Sequence, residues 1–241
     1  MNKLLLSLGT LGTLLLSACA SKPPPPDWQN NAFAALNTFT NAYLNGNNKV
    51  AEFEFSRAKT EVARTGRADL MARLELARCA AQVASLDLQA CAGYKALAVD
   101  AQPAEQAYAA LISGHWSGLD PALLPVAYRN LVTQALDVEK SGAMLKSTTA
   151  TTPQSSQSVS ALSRIPDPMS RLVAAGSLLQ REQLTLLDAG LAVKTASDQG
   201  WRRPLLAWLG VQLKRQQAAG DAVAASETQR RIDLVLQTPA K

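Results

Sequence analysis

The chain has 241 residues, 47% of them hydrophobic and 18% charged, enough apolar material for a packed core, which excludes a disordered chain. Alanine and leucine dominate while aromatic residues make up only 5%, a composition that favours helices over a β-sandwich or barrel. The net charge of +5 is modest, and its excess falls almost wholly on residues 161–241.

In chain order, the first element is an apolar run, Leu4 to Leu16, behind the single charge of Lys3. At about 13 residues it is shorter than the roughly 20 a membrane-spanning helix needs and fits the apolar core of a signal peptide. Gly9 and Gly12 weaken it further as a permanent helix. The run ends in Leu16-Ser17-Ala18-Cys19, which resembles the lipobox of bacterial lipoproteins. The resemblance covers the first twenty-odd residues. It implies that residues 1–18 are a signal peptide and that Cys19 becomes the mature N-terminus, carrying a thioether-linked diacylglycerol and an N-acyl chain. Two or more acyl chains anchor a protein stably to one leaflet. Ala20 and Ser21 stand where an inner-membrane lipoprotein usually carries Asp, so the same resemblance implies the outer membrane, facing the periplasm. Pro23 to Pro26 favour polyproline II, making residues 19–26 a short semi-rigid tether.

The body reads as helix after helix. Phe33, Leu36, Phe39 or Thr40, and Tyr43 or Leu44 recur at helical spacing and predict a helix from Asp27 to Asn45, ended at Gly46. Val50, Phe53, Ala58 and Val62 place a second helix that ends near Thr65, before Gly66. Asp69 to Ala84 carries Leu70, Leu74, Ala77 and Ala81 on one side and Ala72, Leu76, Cys79 and Val83 on another, the pattern of a helix buried between neighbours. Short helices come next at Ala92–Val99 and from Pro103 to Ser113. Asp120-Pro121 reads as a cap leading into a helix from Ala122 to Glu139. The low-complexity run at 147–160 (STTATTPQSSQSVS) reads as a linker or loop between a helical region at 27–146 and a basic helical region at 161–241. Three or four helices are expected in the latter, roughly Met169–Gln180, Arg181–Ser197, Pro204–Ala218 and Asp221–Gln237.

With Cys19 spent on lipid, Cys79 and Cys91 remain as an even pair in an oxidising compartment, and a disulfide between them is expected. On one continuous helix their Cα atoms would lie about 18 Å apart, far beyond disulfide reach. The chain must therefore reverse between them, at Ser85-Leu86-Asp87, with Asp87 placed to cap the next helix.

Glycines about 20 residues apart (Gly46 and Gly66, Gly200 and Gly220) suggest stacked hairpins. Leu206-x-x-Leu209-Gly210-x-x-Leu213 resembles the first helix of a tetratricopeptide repeat, with leucines in place of its Trp and Tyr and Ala222 at a later small position. Ser226 and Gln229 depart from the pattern, and there is no second clean copy. The fold class expected is all-α, with antiparallel helical hairpins stacked as a tetratricopeptide-like α-solenoid or packed as an irregular helical bundle.

Recognisable chemistry is sparse. His115 is the single histidine, and there is no HExxH motif, paired-cysteine metal site, G-x-S-x-G elbow or Gly-rich phosphate loop. No cofactor and no metal are expected, and carboxylates are scattered singly. The candidate partner-binding residues are Trp201, read as exposed, and the basic pairs Arg202-Arg203, Lys214-Arg215 and Arg230-Arg231. The expected partners are the membrane, through the lipid anchor, and an envelope protein; nucleic acid has no place in the periplasm. The leading expectation is a non-enzymatic outer-membrane lipoprotein presenting a helical surface to another protein in envelope assembly or maintenance. The alternative is a lipoprotein that holds lipid, glycan or a small molecule between its helices, with a cell-wall hydrolase ranked below both.

Overall fold

The computed structural model describes residues 24–140 and 160–237. The apolar leader, Cys19 and nearly all of the Ser/Thr/Gln run lie outside the described residues. Within them the protein is all-α, without strands, and its helices pack in pairs. No helix among the described residues is long and apolar enough to cross a membrane.

Helices α1 (Asp27–Asn45) and α2 (Asn48–Ala63) form the first hairpin. Gly46 makes the turn in the left-handed region (φ 89°), where a side chain would be strained, and the Asn47 carboxamide accepts the Val50 N–H to start α2. Between them the rings of Phe39 and Phe55 meet at a tilt of 50°, 5.0 Å apart, both fully buried. Phe53 stays 63% exposed, because helical spacing aligns Phe55, not Phe53, with Ala51, Ala58 and Val62.

Helix α3 (Ala68–Ala84) is the axis of the molecule. Its two apolar stripes serve two cores. Leu74 and Ala81 join the α1–α2 core, with Leu70 packed against it; Leu76, Cys79 and Val83 join a larger core that runs through to Trp208 and Leu209. That larger core draws on residues on both sides of the 147–160 segment, so the two helical regions share one interior.

After α3 the chain reverses through Ser85 and Leu86, the latter at φ 58°, and Cys79 and Cys91 are joined with their Cα atoms 5.8 Å apart. Asp87 does not cap the next helix; its carboxylate faces the Tyr43 hydroxyl at 3.5 Å. The expected helix over Ala92–Val99 is instead a single turn, α4 (Ala92–Lys95), continued by a 3-10 turn at Ala98–Asp100. Helix α5 (Pro103–Ile112) starts at its proline as expected.

The helix expected from Ala122 is split. Pro121–Leu123 form a 3-10 turn capped by Asp120, Leu124 is extended, and α6 (Val126–Lys140) begins only after Pro125. Proline forces its predecessor out of the helical region, and this steric stop outweighs the helical spacing of the apolar residues around it.

Helix α7 (Pro168–Gln180), capped by Asp167, lies against α3. Helix α8 (Leu186–Asp198) starts five residues later than expected from Arg181. Glu182 takes a positive φ of 58°, and Thr185 and Asp188 form a reciprocal capping box that sets the true start. Helices α9 (Arg202–Ala218) and α10 (Ala222–Gln237) close the chain as a hairpin. Contacts between α3 and α7 and between α1 and α9, remote in sequence, close the helices on one another as a bundle.

Two glycines separate close packing from open helix surface. A β-carbon on Gly176 of α7 would sit 2.5 Å from the Val83 carbonyl oxygen of α3, whereas one on Gly210 of α9 meets nothing within 4 Å. Gly176→Ala is therefore expected to lose about 1–3 kcal/mol. Gly210→Ala is expected to gain about 0.5–1 kcal/mol from helix propensity. Urea unfolding of the two variants measures both; equal effects would mean that α3 and α7 are not in backbone contact.

Candidate binding site between the helices

A cavity of about 550 Å³ opens among α1, α3, α5 and the start of α7. Leu36 of α1, Leu76 and Ala80 of α3, Leu124 and Met169 supply its apolar wall. Leu76, Ala80 and Leu124 belong to the larger core, and Leu36 and Met169 are partly buried against the cores, so the cavity wall is an edge of the packed interior. The size and the mostly apolar wall match small-molecule sites.

The polar groups are few: Asn37 and Thr40 of α1, Arg73 of α3, and Glu105 and Tyr108 of α5. Arg73 of α3 donates from Nε and Nη2 to Oε1 of Glu105 on α5, at 2.9 and 2.6 Å. Arg73 itself is 66% exposed, while Glu105 is 6% exposed. The second carboxylate oxygen, Glu105 Oε2, is buried and has no hydrogen-bond partner among the described residues. Tyr108, one turn on from Glu105, also lines the cavity, and its ring lies 5.9 Å from that of Tyr128. Burial pushes the Tyr108 phenol well above its ordinary range, reinforced by the neighbouring Tyr128. The phenol is thus a neutral hydroxyl at any physiological pH.

A second cavity, about 620 Å³, lies beside Cys91, with Tyr94, Lys95, Gln106 and exposed His115 on its wall. Two of its amide groups are engaged: Gln106 donates to the Ala101 carbonyl and Gln180 to that of Ile112. No group of His, Cys, Asp and Glu among the described residues could hold a metal ion.

The candidate residues of the C-terminal region are placed differently from what their composition suggested. Trp201 is half-buried and packs against both cores. Arg203 is turned inward: its guanidinium lies 4.2 Å from the Tyr43 ring centre, donates from Nε to the Tyr43 carbonyl at 2.7 Å, and bonds Asn48. Arg215 donates to the carbonyls of Thr185 and Leu184 at the turn before α8. Arg202 reaches the Val235 carbonyl. The reason is common to all three: arginine's long stem and forked donors suit it to tie a carbonyl at a neighbouring helix end. Lys214, Arg230 and Arg231 remain exposed.

Sequence reasoning passed over Glu105 and Arg73. They stand 32 residues apart on separate helices, and no local spacing marks a pair that only the α3–α5 contact creates. Against known proteins, no family model, curated protein or solved structure matches the chain.

Proposed function

We propose that the protein is a lipoprotein anchored by acyl chains on Cys19 to the periplasmic face of the outer membrane. Its helical body is then a non-enzymatic binding module that takes a small amphipathic molecule between α1, α3 and α5. The anchor rests on the lipobox resemblance of Leu16-Ser17-Ala18-Cys19. The single observation supporting ligand binding is the 550 Å³ cavity, apolar along most of its wall with a buried carboxylate at one side. This order reverses the ranking drawn from sequence, since Arg202, Arg203 and Arg215 are engaged in holding the fold.

The test uses the full acylated chain in phosphatidylcholine nanodiscs and dodecyl probes carrying a photoreactive diazirine. Labelled peptides are expected to map to the segments around Leu36, Leu76 and Met169. Ala104 is exposed on the rim, so Ala104→Trp is expected to plug the cavity and abolish that labelling while leaving the helical spectrum unchanged. Labelling absent, or indifferent to Ala104→Trp, would remove the reading.

A protein partner is the second reading. It is favoured by the outward side of α10, where Val223, Arg230 and Leu234 share one stripe and are all exposed, with Arg231 beside it. A stoichiometric envelope protein crosslinked to α10 in intact cells is the result that would promote it.

A further inference from the structure

We propose that Arg73 is the head-group residue of this cavity and that the ligand it selects is a single alkyl chain ending in an anion. The inference rests on the ligand-binding reading and names the chemistry that reading leaves open.

Arg73 and Glu105 are the two charged side chains on the cavity lining. They are not equally available to a ligand. Glu105 is 6% exposed; Arg73 holds one of its oxygens, and the other is closed to solvent. Arg73 is 66% exposed. The pair is neutral as a whole but polarised, with the carboxylate inward and the cation outward. A guanidinium carries five N–H donors. Nε and Nη2 each give one to Oε1 of Glu105, and Nη1 has no partner among the described residues. Asn37 of α1 lies on the same lining, exposed, and its carboxamide also has no partner among the described residues.

These free donors set the nature of the head. An anion accepts from them, and such charge-assisted bonds are about twice as strong as neutral ones. A cationic head meets the guanidinium and is repelled. A neutral hydroxyl gains no more than an ordinary hydrogen bond. Glu105 acts as a positioning residue: its two bonds hold the planar guanidinium in one orientation, so less freedom is lost when an anion docks. The rest of the ligand is set by Leu36, Leu76, Ala80, Leu124 and Met169, which offer methyl and methylene surface and no further charge. An alkyl chain fits such a wall, and the flexible Met169 adapts to its length. The volume of about 550 Å³ is that of a site for one small ligand, which favours one chain over a two-chain lipid.

The experiment compares two probes on the full acylated chain in phosphatidylcholine nanodiscs, at a mildly alkaline pH where a carboxylic acid is ionised. One is a diazirine-bearing dodecanoic acid, the other the matching dodecanol, compared at matched concentration in the bilayer. The acid is expected to half-saturate labelling of the cavity peptides at a concentration about fivefold below the alcohol, the size an exposed ion pair supports. Added salt is expected to shrink that advantage, because the guanidinium is open to water. The double variant Arg73→Gln with Glu105→Gln removes both charges without stranding a buried carboxylate. It is expected to bind the two probes alike while still being labelled. Ala104→Trp is expected to weaken both probes and leave their ratio unchanged. Equal labelling by both probes in the unaltered protein, or stronger labelling by the alcohol, would overturn the inference while leaving the cavity reading intact, and needs no variant to fold. An acid preference that survives in the double variant would also overturn it. No labelling by either probe would overturn both readings. Unlabelled dodecanoate and lysophosphatidylglycerol distinguish the sources: the one that displaces the labelled acid at the lower concentration names the head as carboxylate or phosphate, and either keeps the anion.

Discussion

Trp208→Ala is expected to cost about 3–5 kcal/mol, among the largest losses a single substitution can bring to this fold. The indole is fully buried in α9, and its Nε1–H donates to the Ala84 carbonyl at the end of α3, 3.0 Å away. Truncation opens a void the size of the ring system. It also strands the carbonyl of a helix terminus, where four such groups already lack partners within the helix. Trp208→Phe keeps most of the volume and loses the donor, so it is expected to cost less, about 1–3 kcal/mol. Urea unfolding, monitored by circular dichroism, reads both. A loss below about 1 kcal/mol for the alanine variant, no more than one ordinary hydrogen bond, would mean that α9 is not docked on α3. This contact binds the C-terminal hairpin to the axis helix, so its loss is expected to reach beyond α9.

Removing the Cys79–Cys91 disulfide is expected to cost on the order of 3 kcal/mol, by the entropy of closing a loop of this size. The consequence is also local. Helix α4 has four residues and buries none of them, and a helix that short has no stability of its own. Its backbone instead leans on a buried carboxylate: a β-carbon at Gly93 would overlap Oε2 of Glu75, a residue ion-paired to Lys59. The disulfide is the covalent hold on this segment. Cys91→Ala is therefore expected to lower the urea midpoint and to accelerate amide exchange over residues 92–100 ahead of the rest of the chain. Cys91 is the better target than Cys79, which is 3% exposed and part of the core in its own right. Uniform exchange in the variant, with an unchanged midpoint, would show that packing alone holds α4.

The helices that sequence periodicity locates well are those whose limits are set by local chemistry. Gly46 and Asn47 punctuate the first hairpin, and Pro168 behind Asp167 starts α7. The double stripe of α3 is legible because burial on two sides leaves its mark on one short segment. Expectation and structure part where apolar spacing runs across a local stop signal. Pro125 splits the helix expected from Ala122, and the Thr185–Asp188 box delays α8. Asp87 illustrates another limit: a residue of capping type between two helices is drawn instead to Tyr43, 44 positions back.

The site is far less legible. Arg202, Arg203 and Arg215 have the composition of a binding surface, and nothing in their spacing reveals that the carbonyls of Val235, Tyr43 and Leu184 lie within reach. The helical class, the principal turns and the need for the chain to reverse between Cys79 and Cys91 are written in the amino-acid order alone, because they arise from interactions a few residues long. Tertiary contact was needed to show that residues on both sides of the 147–160 segment share one core, and that a cavity forms between α1, α3 and α5. The same holds for Glu105, which meets Arg73 with one oxygen left unpaired, because burial and partnership of a side chain depend on which helices become neighbours.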